Sequence, residues 1–230
     1  MTDTDQPTSS VTSQYKKECP LCSSQTVQFF CKDRRREYLR CSSCSLIFVP
    51  APLHLTIDEQ KSRYDLHRND SEDPGYRAFL SRLVDPLVER LAPGARGLDF
   101  GSGPGPTLSL LLEERGFSVQ NYDPFYAPDS TLLKKRYDFV ACSETVEHFC
   151  APATDWQLLF SLVGTGGVAA VMTAFVPAES EERAGSFAGW RYKDDPTHVT
   201  FYSKETFFWI AEKFGVKAEI VGESVVLFSF

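Results

Sequence analysis

The stretch GLDFGSGPGPT, residues 97–107, decides the fold. Its first four residues read as a short buried strand, glycines 101, 103 and 105 as a tight loop, and residues 106–115 as a helix. Leu108, Leu111 and Leu112 would face inward from that helix, and Gly116 would stop it. Toward the C-terminus the alternation continues. Residues 117–122 read as a strand ending at Asp123, 137–143 as a strand, 154–163 as a helix, 168–175 as an apolar strand and 203–214 as a helix; 216–221 and 224–230 are closing strands. Toward the N-terminus, Tyr76, Phe79, Leu80, Leu83, Val84, Leu87, Val88 and Leu91 recur at three- and four-residue steps, which predicts helix with one buried face. Asp85-Pro86 interrupts that run and predicts a kink or a second helix start. Strands alternating with helices predict an α/β domain: a mainly parallel sheet covered on both faces.

Glycines at a strand-to-helix joint let the backbone pass beneath a ligand at a helix N-terminus. The dinucleotide fingerprint needs Gly or Ala where this chain has Pro106, and no Lys-Ser or Lys-Thr follows as a phosphate loop requires. Asp99 precedes the first glycine by two residues, and its charge suits an amino group or sulfonium and repels phosphate. Asp123, ending the next strand, can accept hydrogen bonds from the hydroxyls of a ribose. A plain turn would explain the glycines but not the two acids.

These residues resemble the class I S-adenosylmethionine-dependent methyltransferases. The matching segments are LDFGSGPG at 98–105, YDP at 122–124 and YDFVACSETVEHF at 137–149, and the likeness covers roughly residues 60–230. It implies a Rossmann-like sheet of seven strands, or six, because residues 124–136 leave little room for the usual third strand and its helix. It also implies that Asp99, Gly101, Ser102, Gly103 and Gly105 surround the methionine end of S-adenosylmethionine. Asp123 and Pro124 would take the ribose, and Ser143 and Glu144 would lie beside the sulfonium.

There are seven cysteines. Cys19-Pro-Leu-Cys22 and Cys41-Ser-Ser-Cys44 are separated by 18 residues, a four-cysteine zinc-ribbon spacing. Two such knuckles offer four thiolates and a closed, structural Zn²⁺ site. Cys31, Cys142 and Cys150 read as buried or incidental thiols. Such a module in front of a methyltransferase domain resembles ribosomal-RNA and deoxysugar methyltransferases.

Glu144-Thr-Val-Glu147-His148 follows a strand and, with His198, could supply two carboxylates and two imidazoles to a second metal such as Mn²⁺, Co²⁺ or Mg²⁺. The run resembles that of ubiquinone-pathway O-methyltransferases and small-RNA 3′-terminal 2′-O-methyltransferases, where the metal orients and acidifies the methylated hydroxyl. Without metal, the acid and histidines could line the cofactor, cap a helix or pair with one another, and His198 or His148 could be a general base. Glu147, His148 and His198 are therefore the catalytic candidates. Trp190 and Tyr192 could wall the pocket, and His54 and His67 read as surface or hinge residues.

Composition limits the partners. Acidic side chains outnumber basic ones 31 to 24, for a net charge of −7, which disfavours DNA. Residues 16–44 nevertheless carry +4, including the run KDRRR at 32–36, while residues 45–230 carry −9. Apolar residues at 42% suffice for a core, and neither a membrane span nor a secretion leader is visible, so a cytoplasmic protein is expected. The expected organisation is a disordered tail at 1–15, the zinc ribbon at 16–50, a helical linker and lid at 51–92 and the methyltransferase domain at 93–230. The first functional reading is transfer of a methyl group to an oxygen, nitrogen or carbon of a small molecule by a monomer or weak dimer. The alternatives are an RNA methyltransferase docked through its ribbon and a non-catalytic adaptor that senses the cofactor.

Overall fold

The computed structural model describes residues 15, 18–66, 69–177 and 187–230. The tail expected at 1–15, apart from Tyr15, lies outside the described residues, as do Lys16, Lys17 and His67. The central sheet has six strands: β4 (Arg96–Phe100), β5 (Ser118–Tyr122), β6 (Tyr137–Ser143), β7 (Val163–Met172), β9 (Lys217–Val221) and β10 (Val225–Ser229). Their spatial order is β5-β4-β6-β7-β10-β9, with β5, β4, β6 and β7 parallel and β10 antiparallel to both its neighbours. Six is the smaller of the expected counts. Residues 123–136 hold one 3-10 turn and no strand, so β5 remains an edge.

Period-two alternation sends side chains to both faces. Phe139 and Ala141 meet α2 (Pro74–Val88) and α3 (Thr107–Glu113), through Leu80, Leu83, Leu87 and Leu112. Val140 and Cys142 face α4 (Pro152–Ser161) and α5 (Lys204–Phe214) around fully buried Trp156. The expected break at Asp85-Pro86 is absent. Helix α2 runs through Pro86, which lies in its last turn, and Asp85 instead accepts from Arg115 at 2.6 Å. The capping pair is Asp73-Pro74, whose carboxylate accepts from the Gly75 and Tyr76 amides. Strand β7 also starts earlier than expected, because glycines 164, 166 and 167 disguise its first half; it ends at Met172.

The cysteine region forms β1 (Val27–Lys32), β2 (Glu37–Cys41) and β3 (Ile47–Phe48). It is continuous with the body. β3 pairs with β8 (Thr200–Phe201), giving a second sheet β1-β2-β3-β8, and Cys19, Cys44 and Leu46 share one apolar cluster with Trp156 and Phe207. A further helix, α1 (Ile57–Tyr64), follows it behind a Thr56–Glu59 capping box. Among the described residues no helix is long and apolar enough to cross a membrane.

Strand β4 is placed by a close approach. A Cβ on Gly97 would come within 2.1 Å of the buried Phe139 ring. Gly97→Ala is therefore expected to cost about 1–3 kcal/mol through overpacking. Urea unfolding with an unchanged midpoint would contradict that packing.

Candidate active site

The carboxyl ends of β4 and β6 lie side by side, the place where open parallel sheets take ligands. Gly101 has φ of +85°, and a Cβ there would lie 2.4 Å from the Thr145 side chain. Only glycine lets the loop after β4 press against the turn after β6. That turn carries Glu144 in the left-handed region, at φ +49°, followed by a 3-10 turn from Val146 to His148. Between them opens a cavity of about 700 Å³. Asp99, Gly101, Ser102, Gly103 and Gly105 line it, as do Asp123, Pro124, Ser143 and Glu144. Glu147, His148 and His198 line it as well, so every cofactor and catalytic candidate meets in one space.

The acids differ in their state. Asp99 is 2% exposed, its Oδ2 has no hydrogen-bond partner among the described residues, and burial, then the Asp123 charge, push its carboxyl up to about 7. Ser143 Oγ is likewise buried and unpaired. Asp123 is already engaged. Its Oδ2 accepts from the Gly103 amide at 3.0 Å, and its Oδ1 from the Phe125 and Tyr126 amides at 2.8 and 3.0 Å. The acid expected to meet ribose thus also ties the glycine loop to β5, a contact no spacing rule announces.

Glu147, His148 and His198 bring one ligand atom each within 4.8 Å of one another; Glu144, the fourth expected ligand, does not join them. Burial, then Glu147, push the Glu144 carboxyl up to about 9. Glu147 is fully buried and accepts from the Thr173 hydroxyl at 3.0 Å and the Tyr192 hydroxyl at 2.5 Å. His148 Nδ1 lies 3.1 Å from the Thr197 carbonyl and His198 Nδ1 lies 2.7 Å from the Tyr192 carbonyl. A carbonyl only accepts, so both Nδ1 atoms carry a proton, and in the neutral ring the lone pair falls on Nε2. Burial lowers the His198 pKa, which favours the neutral ring. Two imidazoles oriented by backbone carbonyls beside a buried carboxylate suit a divalent ion with open positions. Trp190 and Tyr192 do not line the cavity; Tyr192 buttresses Glu147 from behind, and Trp190 packs on Phe187 and Phe201. His54 is tied to the Val49 carbonyl at 2.9 Å.

The four cysteines of the two knuckles also converge within 4.8 Å, with Cys19–Cys44 and Cys22–Cys41 sulfur separations of 3.5 Å. A zinc–thiolate tetrahedron has edges of about 3.8 Å. Ser23 and Ser45, each just after a knuckle, take φ of +58° and +60° and donate back to the Cys19 and Cys41 carbonyls. The set fits a tetrahedral zinc.

A methyltransferase-domain family matches residues 74–219, more than half of the chain. The chain belongs to the S-adenosylmethionine-dependent methyltransferases. An S-adenosylmethionine-dependent methyltransferase from Archaeoglobus fulgidus shares the fold: it is 17% identical with a TM-score of 0.51, over 67% of this chain and 94% of that one. An O-methyltransferase family protein from Burkholderia thailandensis is 15% identical with a TM-score of 0.47, over 74% and 62% of the two chains. CalO1, a methyltransferase of calicheamicin biosynthesis solved with S-adenosylhomocysteine, is 12% identical with a TM-score of 0.47, over 65% and 52%. No curated protein matches.

In this methyltransferase the unpaired Asp99 has a measurable consequence. Its folded-state carboxyl titrates at about 7 against an ordinary 3.8, so the folded chain holds that proton more tightly than the unfolded chain does. Stability from this group is full below pH 4 and is lost as pH rises to 7. In ligand-free protein, Asp99→Asn is expected to remove that decline and to raise stability at pH 8 by on the order of 2 kcal/mol. Parallel pH-stability curves for parent and variant in chemical unfolding would contradict the assignment.

Proposed function

We propose that the protein transfers the methyl group of S-adenosylmethionine to an oxygen of a small-molecule acceptor. The observation that carries this reading is that the glycine loop and the group Glu147, His148 and His198 open into one cavity, within the roughly 300–1,000 Å³ range of small-molecule sites. Asp99 would receive the donor's ammonium, relieving the unpaired Oδ2, with Gly101, Ser102, Gly103 and Gly105 along the methionine chain. Asp123 and Pro124 would meet the ribose, and Ser143 and Glu144 the sulfonium side.

The acceptor end belongs to Glu147, His148 and His198. Their donor set fits a divalent cation, and two imidazoles favour Mn²⁺ or Co²⁺ over Mg²⁺. Such an ion would orient an acceptor hydroxyl and ease loss of its proton. The chain's own work is alignment. The carbonyls of Thr197 and Tyr192 fix both imidazoles, the Thr173 and Tyr192 hydroxyls fix Glu147, and the Tyr64 ring stands edge-on to His148 at 5.2 Å. In-line displacement forms the new oxygen–carbon bond as the carbon–sulfur bond breaks; the sulfide leaves neutral without acid assistance, and the acceptor's hydroxyl proton passes to solvent. Alignment of this kind supplies much of the rate enhancement.

The four-cysteine site is read as structural zinc, with no open position for chemistry. A small acceptor is preferred to RNA because the basic run is partly consumed within the fold: Lys32 pairs with Glu37 at 3.4 Å and Arg36 is 6% exposed.

Glu147→Gln is expected to lower methyl transfer by about 10²-fold or more while leaving S-adenosylhomocysteine affinity within about threefold. Radiolabelled-donor assays on a panel of hydroxylated small molecules, paired with calorimetry, read both quantities. Unchanged transfer in the variant would remove this acceptor site, and absence of heat with S-adenosylhomocysteine in the parent would remove the donor site.

A further inference from the structure

The run KDRRR at 32–36 reads in sequence as a basic surface between the cysteine pairs, but its last residue is buried. Arg36 closes the turn between β1 and β2, where the Asp33 carboxylate accepts from the Arg35 and Arg36 amides at 2.7 and 2.8 Å. The Tyr38 hydroxyl anchors the other Asp33 oxygen at 2.7 Å. From there the guanidinium reaches across to four backbone carbonyls of one short segment. Nη2 donates to Lys193 and, at 2.9 Å, to Asp195; Nη1 donates to Pro196 at 3.1 Å and to His198 at 2.8 Å.

That segment carries the site. It contains His198, and its neighbouring carbonyls, those of Tyr192 and Thr197, set the rings of His198 and His148. Carbonyls on one side of the loop point to Arg36, and those of residues 192 and 197 point to the imidazoles. The same loop is tied down by Lys193 Nζ, 3.4 Å from Asp33 and 2.8 Å from Asp194, and by Val199, whose amide donates to the Glu147 carbonyl at 2.8 Å. A planar fork with five donors can hold carbonyls in two directions at once, which a lysine ammonium does not reproduce.

We propose that Arg36 is a positioning residue: through the carbonyls of residues 193–198 it holds His198 and His148 in their Nδ1–H tautomers. The four-cysteine module thereby serves catalysis as the mount for this clamp. The catalytic meaning rests on the acceptor-site reading above, whereas the clamp itself is tested apart from it.

The test compares parent, Arg36→Ala, Arg36→Lys and the exposed control Arg34→Ala, all zinc-loaded, by nitrogen-15 correlation of the histidine rings and by S-adenosylhomocysteine calorimetry. The parent and Arg34→Ala should show His198 and His148 as Nδ1–H tautomers with slow proton exchange. Both Arg36 variants should show mixed tautomers and at least about tenfold faster Nδ1 exchange, with cofactor affinity within about threefold of the parent. Millimolar guanidinium should restore the parental signature in Arg36→Ala and not in Arg36→Lys. Folded Arg36 variants that keep both tautomers and slow exchange would overturn the proposal. Failure of both variants to fold would also overturn it, by making Arg36 a residue of general stability. A parent that gives no heat with S-adenosylhomocysteine would remove the donor reading while leaving the ring signatures to judge the clamp.

Discussion

Asp99 is a carboxylate at the carboxyl end of a central strand, buried with one oxygen unpaired, and much of the molecule is arranged so that it stays there. Burying a polar group without a partner costs stability. Leu98 and Phe100, on either side of it, are locked in the core below, and among the described residues no group of the glycine loop above, Ser102 included, bonds to its Oδ2. A fold that retains such a group is poised for a cation. The neighbouring turn is strained in the same sense: Glu144 sits in the left-handed region with a half-buried side chain, and strain of this kind gathers at functional sites.

The second half of the site is assembled at longer range. Glu147 and His148 arrive on the turn after β6, but their orientation comes from residues 173, 192 and 197, and His198 comes from a loop gripped by the N-terminal module. The pairing of β3 with β8 and the shared apolar cluster make that module part of the frame. A four-cysteine unit of this size has too little apolar content to order itself, so metal at the knuckles and packing on the body would act together. Loosening either end would then reach the imidazoles.

The glycine-loop side of the cavity was legible in the sequence because it is local. Glycines 101, 103 and 105, Asp99 and Asp123 occupy a strand, a turn and the next strand end, and short-range backbone rules fix their relation. The paired cysteines were legible for the same reason. What the sequence did not show was each contact that crosses the chain. Asp123 closing on the Gly103 amide, Tyr192 behind Glu147 and Arg36 on the 193–198 carbonyls span between 20 and 162 residues and leave no spacing signature. Local signals also misled where context overrode them. Asp85-Pro86 looked like a helix start, yet a proline in the last turn of α2 breaks little, and three glycines concealed the first half of β7.

The most direct measurement is a crystal structure with S-adenosylhomocysteine, with anomalous diffraction recorded at the zinc and manganese edges. The account predicts the amino group on Asp99, the sulfur facing the space before Glu147, His148 and His198, and zinc among Cys19, Cys22, Cys41 and Cys44. A ligand bound elsewhere, with the glycine loop filled by neighbouring side chains, would contradict it.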